Sequence, residues 1–340
     1  MATYYSKHDA GGGGVGSFAD PFTLQELFDN TDSGDLGLIC NTGTYTPSVT
    51  IDIDNGSAVT ANNYAVIRGA NADGSDDGTI ATISGSSLGA STDLFNFNVS
   101  AICIKLENLR ITGATQYNVT LNAAINASNI IFNNCRIDNA TNHGIYNAES
   151  TLQFFVGFNG CEIDNNGGDG INSAGFSRGG IKMINTSVHD NTGDGVKDTT
   201  GSVAKSVYIG CSFYDNGEHG LNFSDDCFGA VCINCVFFGN TDNGINFTDT
   251  TNTCQMTFIN NIYRSNGGYG IDTNGGSSGQ FALCDYNCFS NNTSGAMDIS
   301  TPGSNNVTSD PLFTSETDGS EDFTLQSSSP CKNIGIGYNG

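Results

Sequence analysis

The sequence predicts an all-β chain wound as a right-handed parallel β-helix. A phrase recurs along it: GCEIDNNGGDGI at 160–171 is followed by TSVHDNTGDGV and then by GCSFYDNGEHGL. Aligning these phrases places a glycine at 144, 170, 195, 220, 244, 270 and 295, which is a spacing of 24 to 26 residues. A fixed period of this length is typical of a solenoid, in which each repeat forms one coil.

Three short strands are predicted in every coil. Small apolar residues alternate with polar ones nine and seven residues before each glycine, as in Cys161 and Ile163. A second set of inward pairs precedes them, namely Val156/Phe158, Ile181/Met183, Val207/Ile209, Val231/Ile233, Met256/Phe258 and Phe281/Leu283. A third strand begins directly after the glycine, at Ile171, Val196 and their equivalents. Stacking such coils pairs every strand with its neighbours in three parallel sheets.

An asparagine column lies four residues before the glycine. We predict that it forms a structural ladder, in which buried amides bond from coil to coil. Its members are Asn166, Asn191, Asn216, Asn240, Asn266 and Asn291.

The chain divides into three consecutive parts of one domain. Residues 1–40 are predicted to form an N-terminal cap, 41–305 the coils, and 306–340 a closing segment. Within the cap, Asp20 is the expected N-cap of a short helix whose first residue is Pro21, and Phe22, Leu24, Leu27 and Phe28 are its expected apolar face over the first coil.

Charge excludes several partners. The chain has 35 acidic and 11 basic residues and a net charge of -24, which repels phosphate backbones and anionic lipids. We therefore expect no nucleic acid partner and no membrane insertion. Neither a signal peptide nor a transmembrane segment is recognisable. Most of the 12 cysteines are expected as buried thiols, with Cys227 and Cys254 as the best candidates for a bridge.

The chain resembles the pectate-lyase-like superfamily of right-handed β-helix proteins over nearly its whole length. YYSKHDAGGGGVGSFADPFTLQELFD and GDLGLICNTGTYTPSVTID are similar to its opening phrase, and DPLF with DFTLQSSSPCKNIG is similar to its closing segment. Members include polysaccharide lyases, glycoside hydrolases, bacterial surface proteins and bacteriophage virion proteins. The resemblance therefore implies the architecture and leaves the activity to be argued from side chains.

An enzyme would need a base or a carboxylate pair. Lys197 is the candidate base of a calcium-assisted lyase, with Asp198, Asp225, Asp226 and Asp249 as the candidate calcium ligands. Asp169 and Asp194 occupy one position of adjacent coils, about 5 Å apart by strand spacing, which suits a retaining glycosidase. Solvated loop charge and ordinary turn chemistry explain the same residues without catalysis.

A contact surface is the competing prediction. Tyr214, Val236, Phe238 and Ile262 are expected to face outward as an apolar patch for a protein or a glycan, although a covering loop would explain them equally. We therefore predict first a non-enzymatic, virion-associated protein, such as a capsid decoration, tail spike or adhesin. Its partners would be other virion proteins, further copies of itself or host polysaccharide, and it would act on the virion or outside the cell after lysis. It would need no cofactor, with calcium as the one candidate. The alternatives are a polysaccharide lyase or glycoside hydrolase, and a bacterial surface adhesin.

Overall fold

The structure is a computed structural model, and it describes residues 1–53, 63–98, 103–122, 129–147, 155–173, 180–198, 206–223, 229–248, 255–276, 281–299 and 303–332. The predicted bridge candidates Cys227 and Cys254 lie outside these residues. Three parallel sheets run the length of the described chain, and successive strands of each sheet come from successive coils. The predicted parallel β-helix is therefore confirmed.

Sheet A has 11 strands. They are β1 (Thr3–Ser6), β2 (Leu36–Cys40), β4 (Ala65–Ala70), β7 (Cys103–Glu107), β10 (Asn129–Asn133), β13 (Phe155–Asn159), β16 (Ile181–Ile184), β19 (Val207–Ile209), β22 (Val231–Ile233), β25 (Met256–Ile259) and β28 (Phe281–Asp285).

Sheet B has nine strands. They are β5 (Ala81–Ser84), β8 (Leu109–Thr112), β11 (Arg136–Asp138), β14 (Glu162–Asp164), β17 (Ser187–His189), β20 (Ser212–Tyr214), β23 (Val236–Phe238), β26 (Ile262–Arg264) and β29 (Cys288–Ser290).

Sheet C has ten strands. They are β3 (Ile51–Ile53), β6 (Phe95–Phe97), β9 (Val119–Leu121), β12 (Ile145–Asn147), β15 (Ile171–Ser173), β18 (Val196–Asp198), β21 (Leu221–Phe223), β24 (Ile245–Phe247), β27 (Tyr269–Asp272) and β30 (Gly295–Met297). A 3-10 turn lies at Gly85–Ser87, and an antiparallel hairpin, β31 (Phe313–Ser315) with β32 (Asp322–Leu325), follows the last coil.

Identical positions of successive coils stack inside the helix. On sheet B the rings of Phe213, Phe237, Tyr263 and Phe289 lie nearly parallel, with centroids 5.2, 4.9 and 4.8 Å apart. Each ring thus packs on the next, and the hydrophobic core extends as a continuous column along the axis of the β-helix.

The repeated glycine is required by this stacking. A Cβ atom on Gly170 or Gly195 would lie 2.6 Å from the carbonyl oxygen of the next glycine in the column. No side chain fits that space without moving the backbone, so the close approach of adjacent coils demands glycine here. The recurring phrase is therefore explained by packing.

The short N-terminal helix α1 (Leu24–Asn30) covers the first coil, but it begins later than predicted. Thr23 is its N-cap, and a capping box joins Thr23 to Glu26. Asp20 is therefore not the cap. Phe22, Leu24, Leu27 and Phe28 are all buried, as predicted.

The predicted inward register is wrong throughout two strands of sheet A, β19 and β22, and at one position of a third, β28. In β19 the buried side chain is Tyr208, and in β22 it is Cys232, whereas Val207, Ile209, Val231 and Ile233 face outward and are only half-buried. Leu283 is likewise exposed. The turn after each strand fixes the register. A residue with a left-handed backbone conformation, such as Asn185, Gly210 or Asn234, lies two positions after the last inward side chain of its strand. Since VYI and VCI are apolar at every position, their composition does not reveal the face.

Candidate functional site

A second ladder of side chains lies in the turn just before sheet C. One acceptor atom of each member receives the backbone N–H of the equivalent residue in the next coil. The accepting atoms are His143 Nδ1 (2.8 Å), Asp169 Oδ1 (2.7 Å), Asp194 Oδ1 (3.0 Å), His219 Nδ1 (3.1 Å) and Asn243 Oδ1 (2.6 Å). Because histidine and asparagine perform this task equally well, the ladder alone does not require aspartate.

Asp169 and Asp194 differ from the other members of this ladder because each has a second carboxylate oxygen that is free to make further contacts. Oδ2 of Asp169 accepts a hydrogen bond from Asn172 at 2.6 Å, and Oδ2 of Asp194 accepts one from Asn222 at 2.8 Å. Lys197 Nζ lies 3.5 Å from the same Asp194 oxygen. The predicted base and both predicted carboxylates are thus brought together in one cluster.

Strand pairing places Lys197 in the expected outward row. Its neighbours in β15 and β21 are Asn172 and Asn222. The row continues with Tyr146 on one side and Asn246 on the other. One outer face of sheet C therefore carries amide, phenol and ammonium groups in register, and we call it the sheet C face.

Glu218 joins this cluster and was missed from the sequence. One oxygen atom from each of Asp169, Asp194 and Glu218 lies within 4.8 Å of the others. Glu218 is exposed, whereas the Asp194 side chain is fully buried. The signal that could have found it is its position, one residue before the turn ladder in the coil after Asp194.

Burial and charge set the protonation of the cluster. Burial raises the pKa of Asp194, although hydrogen bonds from Asn222 and His219 oppose the shift. Burial alone would lower the pKa of Lys197, but the carboxylates of Asp194, Asp169 and Glu218 outweigh it and raise that pKa. Lys197 is therefore a cation at neutral pH.

The donor set fits calcium better than zinc. Three carboxylates supply hard oxygen ligands, and neither cysteine nor histidine is needed among them. His143 and His219 are separated along the ladder by Asp169 and Asp194, so they do not converge on one ion. Calcium at this cluster would compete with Lys197 for Asp194.

The predicted calcium ligands do not form that cluster. Asp198 is buried on the inward side of β18, and its Oδ2 accepts a hydrogen bond from Ser206 at 3.4 Å. It points away from the face that carries Lys197, so the prediction of a shared outer site is wrong for Asp198. Asp225, Asp226 and Asp249 lie outside the described residues.

The asparagine ladder is confirmed for five of its six predicted members. Asn166, Asn191, Asn216 and Asn240 each donate Nδ2 to the next coil's amide oxygen at 2.9 to 3.1 Å. Asn266 donates to Asn292 at 2.8 Å, whereas Asn291 takes a left-handed conformation and faces outward. The prediction is therefore wrong for Asn291, because the last coil is one residue out of phase. A further ladder, through Asn261, Asn287 and Asn306, was missed.

The predicted apolar patch on sheet B is not an open surface. Phe238 is only 8% exposed, and Tyr214, Val236 and Ile262 are half-buried. Phe323 of the C-terminal hairpin packs on Tyr214 and Phe238 with ring centroids 5.1 and 5.4 Å apart. A covering segment, which was the alternative explanation, is thus what the structure contains.

Sheet B carries a second charged cluster beside this hairpin. Arg110 and Arg136 each bond in a bidentate manner to a buried aspartate, Asp138 and Asp164 respectively. Nearby, His189 Nε2 lies 3.2 Å from Glu162 Oε1, within the lining of a cavity of about 310 Å³. In these contacts each charged or titratable group has a hydrogen-bonding partner of this cluster, which is the expected arrangement for buried charge.

Comparisons with known proteins agree with this architecture. Residues 149–313 match the family model described as "Right handed beta helix region". No curated protein sequence matches the chain. None of the helices in the described part of the chain is long and apolar enough to cross a membrane. The molecule is thus similar in fold to right-handed parallel β-helix proteins.

Individual solved structures are similar in fold. The pectate lyase Pel9A has a TM-score of 0.72 and 17% sequence identity, covering 100% of this chain and 94% of that one. A rhamnogalacturonan lyase has a TM-score of 0.51 and 14% identity, covering 93% and 91%. ORF18 of Geobacillus virus E2 has a TM-score of 0.46 and 15% identity, covering 81% and 58%. At these identities the likeness concerns the fold alone.

Proposed function

We propose that this chain binds polysaccharide along the sheet C face, as a virion-associated β-helix of the decoration, spike or adhesin type. The observation that carries the binding is the register of that face: Tyr146, Asn172, Lys197 and Asn246 project from its coils, and the buried Asn222 lies in the same row between Lys197 and Asn246. Amide, phenol and ammonium groups are hydrogen-bonding partners for sugar hydroxyls, and a chain of sugars lying along the axis meets a new set at every coil.

Lys197 favours an anionic sugar at the centre of this face. The net charge of -24 repels a uronate polymer from most of the molecule. Lys197 is held protonated by the carboxylates beneath it, so it offers a fixed positive charge where the amide row is densest. The virion setting is supported by the resemblance of the opening and closing phrases to a superfamily that includes bacteriophage proteins.

A binding panel tests this proposal. Neutral and uronate polysaccharides would be titrated into the wild type, into Lys197→Ala and into Lys182→Ala by calorimetry. Lys182 lies in the same coil but on sheet A, so it is the matched control. We expect at least about tenfold weaker binding for Lys197→Ala only. Equal affinities for all three proteins, or no binding by the wild type, would refute the proposal.

Cleavage by a calcium-assisted lyase is the second candidate, and the three carboxylates around Lys197 favour it. Calcium bound there would neutralise a substrate carboxylate and acidify the adjacent C–H bond. Lys197 would have to accept the proton, and its raised pKa opposes this as long as Asp169, Asp194 and Glu218 remain free to pair with it. Lys197 is thus a poor base in the metal-free protein.

Product release distinguishes binding from cleavage. Unsaturated uronate, detected by its ultraviolet absorbance, should appear with calcium for the wild type and disappear in Lys197→Ala and Glu218→Gln if the lyase candidate is correct. Binding without any product would leave the adhesin function and exclude the lyase.

A further inference from the structure

The outer side of sheet A carries an apolar patch that no other part of the described chain covers. In the observed register, several side chains that the sequence pattern predicts to be inside the β-helix face outward. In one row, Ile184, Ile209, Ile233 and Ile259 are direct neighbours on β16, β19, β22 and β25. In the next row, Val207 pairs with Val231, and Leu283 follows after Thr257.

These residues are accessible although they belong to central strands. Ile184 and Leu283 are 40% and 39% exposed, and the remaining members are half-buried. Since adjacent coils are about 4.8 Å apart, the two rows form one surface, which is aliphatic except for Thr257 within the second row and Lys182 at its start. A contiguous exposed patch of this kind marks an interaction site more often than chance exposure does.

We propose that sheet A is the surface through which a second copy of this chain binds. The outward positions of β16, β19, β22 and β25 contain no carboxylate. A molecule with a charge of -24 repels its own copies at acidic faces, so two copies can approach closely only where carboxylates are missing. A basic partner would be drawn instead to the acidic faces.

The size of the sheet fits such a contact. Its 11 strands span about 48 Å along the axis, and strands of about four residues make it about 14 Å wide. The whole outer face is thus about 700 Å², close to the about 800 Å² that each partner contributes to a standard interface, and the five strands with the apolar rows make up about 270 Å² of it. The apolar rows lie at one end of the sheet, on β16 to β28, and would form the apolar core of the contact. The outer positions of β7, β10 and β13, where Ile131 and Phe155 lie among Lys105, Asn133 and Asn159, would extend it.

A glycan is a poor occupant of this surface. Its centre is isoleucine, valine and leucine, which offer neither hydrogen-bonding groups nor aromatic rings. The sheet A contact is therefore separate from the sheet C face, and it does not depend on the proposed polysaccharide binding.

Sedimentation velocity of the full chain from about 1 to about 200 µM tests the inference. The perturbing variant is Ile209→Lys with Ile233→Lys, which must desolvate ammonium groups at the centre of the contact. The control is Ser187→Lys with Ser212→Lys, which adds the same charge at paired outward positions of sheet B in neighbouring coils. Thermal unfolding and circular dichroism establish that both variants keep the fold.

We expect a wild type that sediments as an oligomer of the 35.5 kDa chain, a control that behaves alike, and a sheet A variant whose self-association is weakened at least about tenfold. A wild type that stays monomeric throughout this range would overturn the inference. So would an oligomer that both variants weaken equally, or one that the sheet A variant leaves intact, because self-association would then use another face.

Discussion

Removing one rung of the asparagine ladder should destabilise the β-helix by several kcal/mol. Asn216 is buried, and its Nδ2 donates to the carbonyl oxygen of Val188 at 3.1 Å. Its Oδ1 accepts the backbone N–H of Asn191 at 3.3 Å. In Asn216→Ala both backbone groups lose these partners inside the protein, where water does not replace them.

The expected magnitude follows from these two groups. An unsatisfied buried donor or acceptor costs about 1 to 3 kcal/mol, so the two groups together predict a loss of about 2 to 6 kcal/mol in the free energy of unfolding. Urea unfolding followed by circular dichroism measures it. Asn142→Ala is the control, because Asn142 is exposed in a turn and should change stability by less than about 0.5 kcal/mol. A loss for Asn216→Ala as small as for the control would show that the ladder does not stabilise the coils.

Three further predictions concern the C-terminal segment. Phe323→Ala should release the hairpin from Tyr214 and Phe238, and proteolysis should then cut near 313–325 sooner, whereas the exposed control Thr324→Ala should not change the rate. Burial, together with the charges of Glu321, Asp190 and Asp318, raises the pKa of Asp215 to about 7, whereas its unfolded value is near 3.8. The folded hairpin therefore favours the protonated carboxyl group. It should be most stable below about pH 4 and lose stability as the pH rises through about 7. Hydrogen exchange of the hairpin across that range should show this loss in the wild type and not in Asp215→Asn; an unchanged profile in the variant would contradict it. Among the described cysteines only Cys331 is partly exposed, and a hydrogen bond with Cys288 lowers its pKa. Of these cysteines, Cys331 should therefore be the first that a maleimide labels in the native protein. Mass spectrometry of Cys331→Ser should then show that this rapid labelling is lost, and rapid labelling of another described cysteine would refute the assignment.

The C-terminal hairpin shows what local sequence could not reveal about sheet B. Tyr214 and Phe238 are paired outward positions of two adjacent strands, β20 and β23, and the strand period predicts their side correctly. Whether an outward side chain meets water depends on a segment far along the chain, here Phe313 and Phe323, and on where it folds back. No periodicity within residues 212–238 contains that information, which is why the predicted patch was wrong.

The candidate site, too, could be predicted from the sequence only in part. Asp169 and Asp194 could be predicted as neighbours because coil positions that repeat in sequence become neighbours in space. Lys197 was predicted in a separate site with Asp198, and the structure joins it to the pair through Asp194. Glu218 could not be selected in this way, since it lies outside the ladder position and reaches the cluster only through the geometry of its turn.

By itself the sequence determined the parallel β-helix, the coil length, the glycine column and most of the asparagine ladder, because each is a repeated requirement of stacking one coil on the next. Tertiary structure alone decided which face of β19 and β22 is buried, because VYI and VCI are apolar at every position and the register is fixed by the left-handed turn residues that follow them. It also decided which apolar surface is covered. The hairpin covers the one on sheet B, and no described segment covers the one on sheet A, because packing between distant segments does not follow from local pattern.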